Sequence, residues 1–210
     1  MARYGKKNST KFKLTKELVI LVVALVAIIA VTVILSIPSK EEKIIAEYNT
    51  AIEEFNTQNS TSHSTLTSDE IVYVKADLAD IEKALDSKGT DEEPEYTYVL
   101  YGTLKAATVV QYFNYINEEA KQHEIETIYF YSSSFVDGQE DKDDEEFLAK
   151  VDSYENVLNA NVLEGVDEVD LLKTASFYVY KNGELVFNSN TYVEEGIYNW
   201  VQILSEAFSK

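Results

Sequence analysis

The feature that most constrains this chain is an uninterrupted apolar segment near its beginning. The run Leu18 to Ile37, LVILVVALVAIIAVTVILSI, contains no charge, and its only polar members are Thr32 and Ser36. At about 1.5 Å per residue, one helix of this length spans the roughly 30 Å hydrocarbon layer of a bilayer. We therefore predict that residues 17–37 form a single transmembrane anchor that contacts the lipid directly.

Charge is divided unevenly on the two sides of this segment. Residues 1–16 contain six basic side chains and no acid, whereas residues 17–210 contain 12 basic and 37 acidic side chains, a net charge of -25. A basic flank favours the cytoplasmic side of a membrane. We expect residues 1–16 to form a basic cytoplasmic tail and the C-terminal domain to lie outside the cell membrane.

Two other interpretations of the apolar segment are less favourable. A cleaved signal peptide has a shorter apolar region, about 7–15 residues, and a small-residue cleavage site, whereas SIPSKEEK follows here. A soluble helix that is apolar on all sides would need complete covering by a small domain. An uncleaved signal anchor fits the pattern better than either.

Composition excludes several classes of chemistry and partner. The formal net charge of the whole chain is -19, which repels a nucleic-acid backbone, so we expect no nucleic-acid partner. There is no cysteine, which excludes disulfides, thiolate metal ligands, thiol catalysis and a lipid-modified cysteine. His63 and His123 are the only histidines; one of them with carboxylates could still bind a metal, but we predict no metal or cofactor.

A second helix is predicted immediately after the anchor. Pro38 ends the apolar run, and Ser39 with Glu42 forms a capping-box pattern. The apolar positions have a spacing of 3, 4 and 3, and they are Ile45, Tyr48, Ile52 and Phe55. Two heptads are too few to establish a coiled coil, so we favour a helix that lies on its own domain over self-association through this helix.

The polar segment NTQNSTSHSTLTS, residues 56–68, has no periodicity and only one large apolar residue, Leu66. Such composition is typical of a flexible linker. The sequence therefore predicts a juxtamembrane helix and a flexible linker over residues 38–68, followed by a separate domain over residues 69–210.

Strand-like and helix-like segments alternate through this domain. The predicted order is βαβαβαββα, which indicates an α/β fold with a mixed sheet and helices on both faces. Lys181-Asn182-Gly183 supplies an Asn-Gly turn between the last two strands. The strand segments are IVYV, YTYVLYG, TIYFYS, SFYVY and ELVFNS.

Two of these segments carry a resemblance to a known family. From about Ile71 to Phe208, the chain resembles the small bacterial thioredoxin-like proteins, including the bacteriocin transport accessory type. In that family, the second strand ends in a glycine, and a CxxC motif follows at the N-terminus of the next helix. The segment YVLYG resembles the end of that strand. The family also has a cis-proline before an edge hairpin, and the segment SFYVYKNGELV resembles that hairpin. The resemblance implies a thioredoxin-like domain in a Gram-positive or related bacterium.

Both landmarks of that family are missing from this chain. The two cysteines would fall near Ala106 and Val109, and Ala175 stands in the place of the cis-proline. Alanine supplies no nucleophile, and a non-proline cis peptide is unfavourable by about 2.5–4 kcal/mol. We expect a shallow apolar groove at the vacated positions, bordered by Tyr101, Tyr131 or Tyr178. Those positions are Thr103, Lys105, Ala106, Val109, Thr174, Ala175 and Ser176.

Three further segments have weaker patterns. The apolar residues of 153–174 are more typical of an extra helix over the core than of a partner surface. Ser132 to Ser134 follow a strand but lack the surroundings of a nucleophile elbow. The acidic run 137–146 lacks the glycine of an EF-hand loop and is better explained as a solvated loop before a helix.

These observations lead to three functional hypotheses. The first is a redox-inactive, membrane-anchored module, not an enzyme, that binds an envelope protein or a peptide as a chaperone-like or assembly component. The second is a structural subunit of a membrane complex that acts through its transmembrane helix and stalk. The third is an enzyme with a non-thiol site near Ser132 to Ser134 or in the acidic run.

Overall fold

The computed structural model of this protein describes residues 16–35, 38–67, 71–132, 144–173, 175–194 and 197–210. The chain divides into two compact units, Met1–Pro38 and Ser39–Lys210. The first unit contains helix α1, Lys16–Leu35, whose side chains are described at Lys16 and over residues 19–27. Over the described residues, no helix combines the length and the apolar character needed to cross a membrane.

The second unit is a mixed α/β fold built on a five-stranded mixed sheet, as the sequence predicts. Its helices are α2 (Lys40–Asn59), α3 (Leu78–Leu85), α4 (Ala107–Gln122), α5 (Glu145–Leu158) and α6 (Trp200–Ala207). The sheet strands are β1 (Tyr73–Ala76), β2 (Tyr96–Tyr101), β3 (Ile128–Tyr131), β4 (Ser176–Lys181) and β5 (Glu184–Asn188).

The order of strands across the sheet is β1-β3-β2-β4-β5. Strands β1, β3 and β2 are parallel, whereas β4 pairs antiparallel with β2, and β5 pairs antiparallel with β4. The β4–β5 hairpin has the predicted Asn-Gly turn, since Asn182 (φ 52°) and Gly183 (φ 78°) both have positive φ angles. Strand β2, which precedes the candidate site, is the third of the five strands in this order and so lies at the centre of the sheet.

Residues of the central strand contribute to two hydrophobic cores, one on each face of the sheet. Leu100 of β2 belongs to the core covered by α2, α4 and α6, whereas Val99 and Tyr101 belong to the core covered by α3 and α5. This period of two is the geometry of a β-strand that is buried on both faces. Helices on both faces agree with the sequence prediction.

Helix α2 is an integral part of the second unit. Its capping box forms as predicted, with Ser39 and Glu42 exchanging side-chain to backbone hydrogen bonds. Ile44, Ile45, Tyr48 and Ile52 are buried in the core that also contains α4 and α6. The stripe expected to face either a partner helix or its own domain therefore faces its own domain.

The segment expected to be a flexible linker is ordered against α2. Helix α2 continues to Asn59, and the described residues that follow, 60–67, are attached to it by hydrogen bonds. Asn49 donates from Nδ2 to the carbonyl of Leu66 (2.9 Å) and accepts the amide of Leu66 at Oδ1 (2.8 Å). The Tyr48 hydroxyl donates to the carbonyl of Ser64 (3.1 Å). The second compact unit, Ser39–Lys210, therefore includes this segment together with α2.

Two predicted helical segments have a different structure. After α5, residues 159–173 form no helix, and Val169 and Leu171 cover the core from an irregular segment instead. The helix predicted to end the chain is short and begins at Trp200, because a 3-10 turn, Ser189–Tyr192, first leads into a small hairpin. The hairpin strands are β6 (Val193–Glu194) and β7 (Ile197–Tyr198).

Candidate functional site

The turn that leads from β2 into α4 is the position where the family resemblance predicts chemistry. The amide of Gly102 donates to the carbonyl of Tyr131 in the neighbouring strand (3.1 Å), so the chain leaves the sheet beside β3. The Thr103 hydroxyl oxygen accepts the amide of Lys105 (3.2 Å). We call this turn together with Val109, Ala175 and Ser176 the α4 corner.

Neither position of the expected CxxC motif holds a group able to react. Ala106 is the N-cap of α4, and its side chain makes no capping hydrogen bond. Val109 is 0% exposed and packs in the core beneath the first turn of the helix. An alanine and a valine supply no nucleophile and no thiol, whatever field the helix N-terminus provides.

The start of β4 completes the corner on the other side of β2. Ser176 pairs with Tyr101 in the antiparallel register, which brings the start of β4 next to the end of β2. Ala175 is 1% exposed and Ser176 is 0% exposed. The Ser176 hydroxyl donates to Oδ1 of Asn190 at 2.7 Å. Thr174, the remaining predicted site residue on this segment, lies outside the described residues.

The short β6–β7 hairpin covers the backbone of the corner. Burial raises the pKa of the Tyr198 hydroxyl, and a hydrogen bond with the backbone of Ala175 acts in the opposite direction. Tyr198 also stacks on Trp200, with ring centroids 5.9 Å apart. The backbone of Ala175, which stands in the place of the cis-proline that the resemblance predicts, is thus bonded to a side chain of the same protein.

The three tyrosines expected to border the corner are buried beneath it. Tyr101 and Tyr178 are 0% exposed, Tyr131 is 3% exposed, and the Tyr101 ring lies 5.4 Å from Tyr131 and 6.5 Å from Tyr178. Burial raises the pKa of Tyr178 well above its usual value. The Tyr101 hydroxyl donates to the carbonyl of Leu171 (2.8 Å), which anchors the irregular segment after α5. These rings fill the core and offer no surface for a peptide.

The predicted site residues therefore differ in exposure. Thr103 is buried at 6% exposure, as are Val109, Ala175 and Ser176, and Ala106 is half-buried. Lys105 is the one predicted site residue described as exposed. The structure brings both sides of the corner together, but most of its side chains face the interior.

An open groove lies directly beside the corner. It encloses about 670 Å³ between α2 and the turn that leads into α4, with the first turn of that helix. Its lining residues are Glu47, Thr50, Ala51, Glu54, Phe55, Gln58 and Asn59 on one side, and Leu104, Lys105, Ala107 and Val110 on the other. We call it the α2/α4 groove. The sequence did not predict this groove, because the α2 segment was assigned to the juxtamembrane region 38–68 and no contact between it and the start of α4 was expected.

A second, more polar cavity of about 730 Å³ lies at the opposite end of the sheet. Its lining includes the exposed ion pair between Lys40 and Asp80 (3.3 Å) and the side chains of Glu95 and His123. The imidazole of His123 packs at a tilted angle against the ring of Phe208, with ring centroids 5.2 Å apart. Within the described part of the chain, no cluster of three or more histidine or acidic residues could hold a metal ion.

The other candidate segments are only partly described. Ser132 is half-buried at the end of β3, and residues 133–143, with Ser133, Ser134 and most of the acidic run, lie outside the described residues. Asp144 begins the next described segment and caps α5, since Asp144 Oδ1 accepts the amides of Glu146 (2.8 Å) and Phe147 (3.0 Å). This capping agrees with the predicted role of the acidic residues before that helix.

Comparison of the chain with protein-family models, with curated proteins and with solved structures finds no match in any of the three. The family resemblance remains a prediction from the quoted segments.

Proposed function

We propose that this protein is a membrane-anchored, extracytoplasmic domain of thioredoxin-like fold that binds a protein or peptide partner without thiol chemistry. The observation that carries the proposal is the geometry of the α4 corner. Helix α4 begins directly after the central strand β2, and the start of β4 pairs with the end of the same strand, as the resemblance requires. Ala106 and Val109 occupy the positions of the expected cysteines in a chain that has none.

The anchor is supported by the apolar segment and by its flanks. Seven large apolar side chains of α1 are exposed by 42–68%, and they are Val19, Ile20, Leu21, Val22, Val23, Leu25 and Val26. An exposed apolar surface that surrounds a helix is favourable in lipid and unfavourable in water. The basic residues before the segment and the acidic domain after it favour a cytoplasmic N-terminus and a C-terminal domain outside.

The binding role is supported by what the structure gives a partner to contact. The α2/α4 groove is open to solvent and is lined by apolar and polar side chains together. Grooves of several hundred Å³ with such a lining are the usual sites of ligand and segment binding. A partner would be held by shape and charge, since the corner beside the groove supplies no nucleophile.

In-cell photo-crosslinking tests this role. A photoreactive amino acid is placed at the exposed Lys105, and at the exposed Glu82 on the α3 face as a matched control. The experiment is repeated after α1 is replaced by an unrelated membrane helix. We expect a discrete adduct from Lys105 and not from Glu82, and we expect the adduct to survive the replacement because the domain itself makes the contact.

The exposed apolar surface of α1 favours a second candidate, a structural subunit that contacts its complex through the membrane helix. In that case, crosslinks form from positions such as Val23, and they disappear when α1 is replaced. An adduct lost in this way, with none from the domain, would contradict the binding role of the domain.

A further inference from the structure

The α2/α4 groove follows one face of α2 over three helical turns. Its lining positions on α2 are spaced alternately by three residues and one residue, from Glu47 to Asn59. This spacing selects a single helix face, and at about 1.5 Å per residue the face is roughly 18 Å long. The opposite wall is formed by Leu104 and Lys105 of the turn before α4 and by Ala107 and Val110 of its first turn. One wall is therefore a helix face, and the other is the start of a second helix with the turn that leads into it.

The floor of the groove is apolar and is supported by the domain core. Ala51 and Phe55 are half-buried and pack against the core cluster, to which Leu104 and Val110 of the opposite side belong, with exposures of 5% and 3%. Phe55 is held on its other side by the imidazole of His63, with ring centroids 5.7 Å apart. A partner that covers this floor buries apolar surface on residues that are already fixed in position.

Acidic side chains line the α2 side of the groove. Glu47 and Glu54 are seven residues apart on the same face, roughly 10 Å along the helix axis, and both are exposed. Glu47 pairs with Lys75 at 2.8 Å, but both side chains are more than 40% exposed, so the pair is weak and exchangeable. Residues 17–210 carry a net charge of -25, so the surrounding field also favours a cation.

We propose that the α2/α4 groove binds an amphipathic helix of a partner protein, with an apolar stripe flanked by Lys or Arg side chains. This inference rests on the binding role proposed above and specifies its partner. A helix with basic residues seven positions apart meets both glutamates at once, because two parallel helices rise equally per residue. An extended peptide gains most of its affinity from the free edge of a sheet, and no strand residue lines this groove.

Binding of designed helices to the full-length chain tests this proposal. The chain is reconstituted in phosphatidylcholine nanodiscs, and empty nanodiscs provide the blank. The probe is an immobilised peptide of about 14 residues, long enough to span the groove, with a leucine stripe flanked by lysines. A second peptide has glutamate in place of every lysine, and a third has the first composition in an order without an apolar stripe.

Matched variants identify the surface that binds. Glu54→Gln removes a groove charge, and Glu53→Gln removes the same charge from the neighbouring exposed residue, which does not line the groove. Ala51→Trp fills the floor, whereas Ala46→Trp adds the same ring at an exposed position of α2 outside the groove. Thermal unfolding of each variant verifies that the fold is intact.

We expect the basic amphipathic peptide to bind more tightly than either of the other two. Glu54→Gln weakens its binding about two- to fivefold, and Glu53→Gln changes it less. Ala51→Trp weakens it at least about tenfold, since the floor is no longer accessible, while Ala46→Trp leaves it within about twofold.

Three outcomes would overturn the proposal: no binding, equal effects of Glu54→Gln and Glu53→Gln, or equal binding of the peptide without a stripe. Equal effects of the two glutamine variants would mean that net charge alone attracts the peptide. Any of these results, together with a crosslinked adduct from the domain in cells, removes the groove assignment and leaves the binding role intact. A lack of adducts from every domain position removes the binding role itself.

Discussion

The α4 corner and the α2/α4 groove are neighbours that share Lys105, yet solvent reaches them very differently. In the corner, Val109 and Ser176 are fully buried and the Tyr198 hydroxyl bonds to the backbone of Ala175. In the groove, Glu54 and Gln58 are exposed over a half-buried apolar floor. Burial of an apolar side chain stabilises the fold, and an apolar side chain has no reactive group that must be accessible to a substrate. The difference teaches that the corner, which contains no reactive side chain, is part of the core, and that α2 supplies the surface open to solvent.

The largest expected effect is a loss of stability that tests whether α2 packs firmly on the domain and so forms one wall of the groove. Tyr48 is 0% exposed, and its ring stacks on Phe113 of α4 with centroids 5.1 Å apart. We expect Tyr48→Ala to lower the free energy of unfolding of the domain by about 3–5 kcal/mol, because it leaves a cavity in the core. Chemical denaturation of the full-length chain measures this change.

The exposed Glu53 on the same helix provides the control, since Glu53→Ala should change stability by no more than about 0.5 kcal/mol. A loss below about 1 kcal/mol for Tyr48→Ala would mean that α2 is a separate stalk, and the groove would then lack one wall.

The next effect concerns the segment that extends from α2 back to the domain. Asn49 makes two hydrogen bonds to the backbone of Leu66, which is itself 6% exposed. We expect Asn49→Ala to destabilise the domain by about 1–3 kcal/mol, because partly buried backbone groups lose their partner. Hydrogen exchange of residues 60–67 should accelerate in the same variant. Unchanged exchange would support the flexible linker that the composition predicted.

A smaller effect tests the closure of the corner. Tyr198→Phe removes the hydroxyl that bonds to the backbone of Ala175, and we expect a loss of about 0.5–1.5 kcal/mol. Hydrogen exchange at Ala175 and Ser176 should accelerate, while exchange in α2 should not. If exchange at Ala175 is already fast in the unmodified protein, the corner is open and the comparison with the groove fails.

The smallest effect is a pH dependence at Glu155, far from the groove. Burial raises the pKa of Glu155 above 4.5; an accepted hydrogen bond from the amide of Leu171 lowers it, and the nearby Asp170, Asp152 and Glu168 raise it. Folding therefore favours the protonated acid: its stabilisation is full below pH 4.5 and is lost as the pH rises through the raised pKa.

Glu155→Gln keeps an acceptor for Leu171 without the charge. We expect its stability relative to the unmodified chain to rise between pH 4 and pH 7, by less than about 1 kcal/mol. Thermal melting at both pH values measures the change, with the exposed Glu164→Gln as the surface control. A relative stability that falls over this range would contradict the burial of Glu155.

Much of the fold was predictable from local patterns. Strands with alternating or continuous apolar residues, the Asn182-Gly183 turn and the capping box at Ser39 are local signals. They have their predicted structure, except that the first strand, predicted from IVYV, is Tyr73–Ala76 and lies two residues later. The burial of Ile45, Tyr48 and Ile52 followed from helical spacing alone. These features depend on neighbours in the sequence, which a sequence displays directly.

The features that sequence analysis missed depend on distant residues. The two hydrogen bonds between the Asn49 side chain and the backbone of Leu66 join positions 17 residues apart. Nothing in the polar composition of residues 56–68 indicates them. Residues 159–173 are held by Glu155 and Tyr101, not by helical periodicity. The corner could be located by its glycine and hairpin, but its closure depends on Tyr198 of a hairpin that the sequence did not predict.

The absence of native cysteine makes one measurement especially direct. Single cysteines replace Gln58 in the groove, Ser176 in the corner and Lys7 in the N-terminal tail, and intact cells are treated with a membrane-impermeant maleimide. In the purified chain treated with the same reagent, we predict rapid labelling of Gln58→Cys and labelling of Ser176→Cys that is slower by at least about a hundredfold until the protein is unfolded. In intact cells, Lys7→Cys should be labelled only after the membrane is permeabilised. Equal labelling of Ser176→Cys and Gln58→Cys in the purified chain, or labelling of Lys7→Cys in intact cells, would contradict this account.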